Sequence, residues 1–175
     1  MSSAAASITR LAVQGDPSGW VGLPPALSAG DVTSAFPRDS TWSGIARLGR
    51  RRRELAYFWT DIPGDGGKLR VWIERDRVVL LDLPRAGLQA AGPGSDARRL
   101  EDLFQEHPTA LDTWRDTVPM PASELVFPAH GLAAFISPDT GAVWHLALFA
   151  PATLESYVDD LRIDLRVRRV PLARR

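Results

Sequence analysis

Apolar and polar positions change their spacing several times along the chain, and each change marks an element. Ile8, Leu11 and Val13 form a short apolar run that reads as an edge strand, and Gly15, Asp16, Pro17 and Gly19 after it are turn material. Ser28-Ala-Gly-Asp31 opens a short helix, with Ser28 as cap and Asp31 at the positive end of the helix dipole. Val32, Ala35 and Phe36 share its inner face, and Pro37 ends it. Trp42, Ile45 and Leu48 follow at helical spacing, weakened by Gly44 and Gly49. Leu55–Thr60 reads as a strand. Leu69 to Glu74 then alternates strictly, with Leu69, Val71 and Ile73 on one face and Arg70, Trp72 and Glu74 on the other. Arg75-Asp76-Arg77 is a tight turn, and Val78 to Leu83 is apolar enough for a strand covered on both faces.

The second half repeats this plan. Residues 85–95 are a linker rich in Ala, Gly and Pro, and Ser95 or Asp96 caps a helix whose face is Leu100, Leu103 and Phe104. Residues 109–123, with Trp114 and the prolines around Met120, are an excursion; Glu124–Phe127 is strand-like. Gly131–Ile136 and Ala142–Phe149 make a hairpin across Ser137-Pro-Asp-Thr-Gly141, where proline presets φ and glycine takes the positive-φ position. Thr153 caps a last helix with Leu154, Tyr157, Val158 and Leu161 on its buried face. Ile163, Leu165 and Val167 alternate with charges as a final edge strand.

These elements predict an α+β fold: a twisted antiparallel sheet of two α-β-β-β units, with two or three helices packed on one face. The units span 19–84 and 96–150 within a single domain, 1–175, with a C-terminal helix and tail over 151–175. One three-stranded unit is small to stand alone, so pairing two would bury a shared core and leave a groove between them. The capped helix at Leu27-Ser28-Ala-Gly-Asp31-Val32, followed by antiparallel strands, resembles the tandem-repeat units of the β-lactamase inhibitor protein and SmpA/OmlA-type lipoproteins. The resemblance covers residues 25–83 and, more faintly, 96–149. The Gly-Met step of that group, its cysteines and its export signal are absent here. The resemblance implies a scaffold that grips a protein or peptide with a sheet face, and no binding residue of the group carries over.

Composition narrows the chemistry. The 175 residues carry no cysteine and a formal net charge of zero, which excludes disulfides, zinc ribbons and thiol catalysis and gives no global attraction to nucleic acid or membranes. The first residues are small and polar and do not read as a secretory signal, and no apolar run is long enough to span a membrane, so a cytoplasmic location is expected. Basic charge is almost all arginine, with local clusters at Arg50–Arg53 and in the tail at Arg166, Arg168, Arg169, Arg174 and Arg175. A solvated face balanced by Asp159, Asp160 and Asp164 accounts for both clusters better than phosphate binding does.

His107, His130 and His145 lack metal-ligand spacing, and no glycine-rich stretch precedes a helix as a phosphate loop would, so no metal or cofactor is expected. The catalytic candidates are His145, in an otherwise apolar strand, with His130 and Glu124 brought beside it by strand pairing. The partner-binding candidates are Trp72, Arg70 and Glu74, because an exposed Trp-Arg pair has the composition of an interface hot spot. The expected function is a non-catalytic protein- or peptide-binding module of inhibitor, immunity or accessory type. The alternatives are a small cofactor-free enzyme of cyclase or isomerase character and a structural homodimer joined through an edge strand.

Overall fold

The computed structural model describes residues 3–14, 16–64, 67–84, 97–113, 122–137 and 140–163. The linker over 85–95, the Ser95 or Asp96 cap, the segment around Trp114 and Met120, and the tail beyond Ile163 lie outside the described residues. The strands are β1 (Arg38–Leu48), β2 (Arg51–Ile62), β3 (Gly67–Glu74), β4 (Arg77–Pro84), β5 (Thr109–Thr113), β6 (Ala122–Phe127), β7 (Leu132–Ile136) and β8 (Val143–Leu148). They form one eight-stranded antiparallel sheet in the order β1-β2-β3-β4-β8-β7-β6-β5. Each run of four is a meander, and the runs join where β4 meets β8, through Leu81–Leu148, Asp82–Ala147, Leu83–Leu146 and Pro84–His145. The α+β class and the antiparallel sheet agree with the sequence pattern.

Three local expectations are corrected. The run Ile8, Leu11, Val13 belongs to helix α1 (Ser3–Gln14), not to a strand. Ala5, Ile8, Leu11 and Ala12 are the buried positions, which is helical spacing. The stretch holding Trp42, Ile45 and Leu48 is strand β1, not helix. Trp42 stacks on Tyr57 and Leu48 packs with Leu55 on one face, while Ile45 is 75% exposed on the other. Gly44 suits that strand because the Trp42 ring lies over it, where a Cβ would come within 2.9 Å. Part of the excursion after residue 109 is β5, so each run has four strands where the pattern predicts three.

The capping signals at Ser28 and Thr153 match the structure. Helix α2 (Ala29–Thr33) begins in a full capping box: Asp31 N–H donates to Ser28 Oγ at 3.1 Å, and Ser28 N–H donates to Asp31 Oδ2 at 3.0 Å. Helix α3 (Ala97–Phe104) buries Leu100. Helix α4 (Leu154–Ser156) is capped by Thr153, which accepts from Ser156 N–H at 3.1 Å, and it widens into a π-turn over Tyr157–Leu161.

The core has two layers, one on each sheet face. The larger joins Ile8 and Leu11 of α1, Val32 of α2 and Leu100 of α3 to Phe58, Leu69, Val71, Leu81, Leu146 and Leu148. The smaller joins Leu48, Leu55, Trp72, Leu80, Ala133, Phe135 and Ala147 to Phe149, Tyr157 and Ile163. Helices α1, α2 and α3 thus share one face, whereas the last helix, α4, lies on the other with the segment that runs to Ile163. This C-terminal segment acts as a strap.

Candidate functional site

Strand alternation decides which side chains meet on the strap-covered face. Arg70 pairs with Asp82, and Asp82 pairs with Ala147. Two residues along the same strands, His145 pairs with Phe135, and Phe135 with Glu124. Because side chains repeat every second residue, Trp72, Arg70, Asp82, His145 and Glu124 all face the strap side. Asp82 and Glu124 are fully buried and His145 is 5% exposed. A buried charge is tolerated only when it is paired.

Each buried carboxylate is paired from two directions. Asp82 Oδ2 accepts from Arg70 Nε at 2.6 Å and also from its Nη2, while Oδ1 faces His145 Nε2. Burial works to raise the Asp82 carboxyl, but His145 and Arg70 outweigh it and hold the group below the ordinary 3.8. Glu124 accepts from the Tyr157 hydroxyl and, at 2.8 Å, from Arg162 Nε. There burial prevails and pushes Glu124 above 4.5, and burial with the adjacent Glu124 charge raises the Tyr157 hydroxyl well above 10.0.

An aromatic patch extends from this polar row toward β1. Trp42 stacks on Tyr57 at 5.1 Å between centroids, and Tyr57 packs on Trp72 at 4.9 Å. The Arg70 guanidinium lies 4.8 Å from the Trp72 ring, 5.2 Å from Trp59 and 5.7 Å from Tyr57. Asp82 therefore holds Arg70 at its inner end while three rings surround it. Trp42 is 40% exposed at the outer end of the patch.

The strap binds the arginine run. Arg50 meets Asp159 at 3.2 Å and Arg51 meets Asp160 at 3.1 Å. Arg53 pairs with Glu74 at 2.8 Å and also donates to the Asp160 carbonyl. The backbone joins in: Gly49 N–H donates to the Arg162 carbonyl at 2.6 Å, and Arg50 N–H to the Asp159 carbonyl at 2.9 Å. The expected balance by Asp159 and Asp160 is met for Arg50 and Arg51, Glu74 rather than either aspartate balances Arg53, and Asp164 lies outside the described residues.

The partner-binding and catalytic candidates are placed differently from expectation. Trp72 is 8% exposed, buried against Tyr57 and Arg70, so it is not the open anchor that alternation suggested. Glu74 is paired with Arg53. Among the described residues the exposed aromatic is Trp42, hidden from sequence reading by its helix-like spacing with Ile45 and Leu48. His130 lies away from His145, stacked on Phe104 at 4.3 Å and 3.4 Å from Glu106. Glu124 shares a sheet row with His145, but its hydrogen bonds go to Tyr157 and Arg162. The carboxylate at His145 is Asp82, which no sequence signal singled out.

Among the described residues no cluster of three or more His, Cys, Asp or Glu could hold a metal ion, and no helix is long and apolar enough to cross a membrane. Comparison of the chain with protein-family models, curated proteins and solved structures finds no match.

Proposed function

We propose that this protein is a non-catalytic protein- or peptide-binding module whose contact surface is the aromatic patch of β1, β2 and β3. The observation that carries the reading is Trp42, 40% exposed and stacked on Tyr57, beside an Arg70 held among three rings. Trp, Tyr and Arg are the residues that dominate binding hot spots. Ile45, on the other face of the same strand, is 75% exposed and adds apolar surface at the sheet edge. The buried ionisable groups favour binding over catalysis. Asp82 is committed to Arg70 and His145, Glu124 to Tyr157 and Arg162, and His145 is too enclosed to meet a substrate. In this reading the two four-stranded meanders descend from one duplicated unit, and the partner lies across the first of them.

The test is affinity capture from a host lysate with wild-type protein and with Trp42→Ala as bait. Trp42 packs only at the outer end of the patch, so the variant is expected to fold. A hot-spot truncation costs upward of about 2 kcal/mol, so a specifically captured protein should be lost by roughly thirtyfold or more. Equal capture by both baits would defeat this surface assignment.

A further inference from the structure

A cavity of about 680 Å³, open to solvent on one side, lies where the β3–β4 turn meets the strap and the loop before α2. That volume is in the range of small-molecule sites, roughly 300–1,000 Å³. Its walls divide by chemistry. Pro25, Val78, Val79, Ala150 and Leu161 supply apolar surface, while Glu74, Arg75 and Arg77 supply charge. Glu74 is neutralised by Arg53 at 2.8 Å. Arg75 and Arg77 are exposed and have no carboxylate partner among the described residues. The cavity therefore presents an apolar wall and two guanidinium groups that are unpaired among the described residues.

Two backbone distortions shape this site. The register of β3 and β4 shifts between Trp72–Leu80 and Ile73–Val78, leaving Val79 as the extra residue of a bulge. Bulges re-aim a side chain, and Val79 lines the cavity. The turn itself holds Arg75 at φ 50° and Asp76 at φ 67°. A two-residue hairpin with both residues left-handed ordinarily takes Asn-Gly or Asp-Gly. Arginine in that conformation is strained. The turn is locked from outside: Ala29 N–H donates to the Asp76 carbonyl at 3.1 Å and Val78 N–H to the Leu27 carbonyl at 2.9 Å. The preferred residues would put asparagine or aspartate at position 75 and glycine at position 76; this chain has a guanidinium at the cavity mouth instead.

We propose that this cavity binds a small anionic amphiphile, an aliphatic carboxylate whose chain lies along Val79, Ala150 and Leu161 and whose head group is held by Arg75 and Arg77. Two charge-assisted hydrogen-bond donors suit a carboxylate, and the apolar wall suits a short hydrocarbon chain. The probe is octanoate, titrated into the full chain by calorimetry, with octanol and octylamine as neutral and cationic counterparts. Octanoate should bind saturably at one site, and at least tenfold more tightly than either counterpart, as expected for hydrogen bonds to a charged group. Arg75→Gly separates binding from folding. It relieves the left-handed strain, so it should raise the melting temperature by a few degrees while weakening octanoate about tenfold. Arg77→Gln should weaken octanoate by a similar factor. No saturable octanoate binding, equal binding of octanol, or undiminished binding by the Arg75→Gly variant would each overturn the proposal.

Discussion

At the scale of the residue, the two buried carboxylates are opposed in their response to pH. Asp82 has a folded value below its unfolded one, so its stabilising contribution is fully present above about pH 4 and is lost as pH falls through the folded value. Glu124 has a raised folded value, so it stabilises the fold while protonated, and that contribution declines as pH rises through the folded value. Asp82→Asn leaves Arg70 without its buried counter-charge and removes the carboxylate that faces His145, and breaking such a buried pair costs about 3–5 kcal/mol near neutral pH. Urea unfolding of wild type and both variants across the acid range should show the Asp82→Asn penalty shrinking as acid protonates Asp82 in the wild type. Glu124→Gln should instead abolish the decline on the rising side. A penalty for Asp82→Asn that does not change with pH would mean that the carboxylate is not the stabilising species.

At the scale of the element, the strap shows why some features were legible in the sequence and others were not. The α2 capping box, the β3–β4 and β7–β8 hairpins and the Thr153 cap are local, built from residues within a few positions of each other, and each was readable. Strand β1 was not: an edge strand buries few side chains, so Trp42, Ile45 and Leu48 leave only an accidental helical spacing. The Asp82–His145 and Glu124–Arg162 contacts depend on strand pairing and strap placement over long separations, which no local pattern encodes. The same long-range packing gives Gly49 its role. It has φ 58°, and a Cβ there would lie 2.3 Å from the Asp159 backbone. Gly49→Ala therefore adds left-handed strain and pushes the strap away, at a cost of about 1–3 kcal/mol or more. Hydrogen exchange should quicken at the amides of the α4–Leu161 segment. Protection unchanged there would show that the Gly49–strap contact does not hold the segment down.

At the scale of the whole molecule, the β4–β8 seam is the narrowest join between the two meanders. Among the described residues four residue pairs cross it, against nine between β1 and β2. Two side-chain systems reinforce it. Arg70 on β3, Asp82 on β4 and His145 on β8 form a chain through the seam. The strap bridges above it, because Arg162 and Tyr157 hold Glu124 on β6 while Asp159 and Asp160 hold Arg50 and Arg51 beside β1 and β2. The exposed arginine pairs contribute little singly, but Glu124 is buried, and loss of Arg162 leaves it an uncompensated charge. With the strap in place, β2–β3 and β7–β8 should open as one cooperative unit, with the same free energy of hydrogen exchange at their slowest amides. In the triple variant Asp159→Asn, Asp160→Asn, Arg162→Gln, the strap loses its charged side-chain contacts and keeps its backbone hydrogen bonds, the Tyr157–Glu124 bond and its apolar packing, so the seam bears most of the coupling. The two meanders should then separate into distinct exchange classes, and added salt should move wild type partway toward that behaviour through the exposed pairs. If the variant still exchanges as one unit, the Arg70–Asp82–His145 chain and the shared core suffice to join the halves, and adding Asp82→Asn to it becomes the change that divides them.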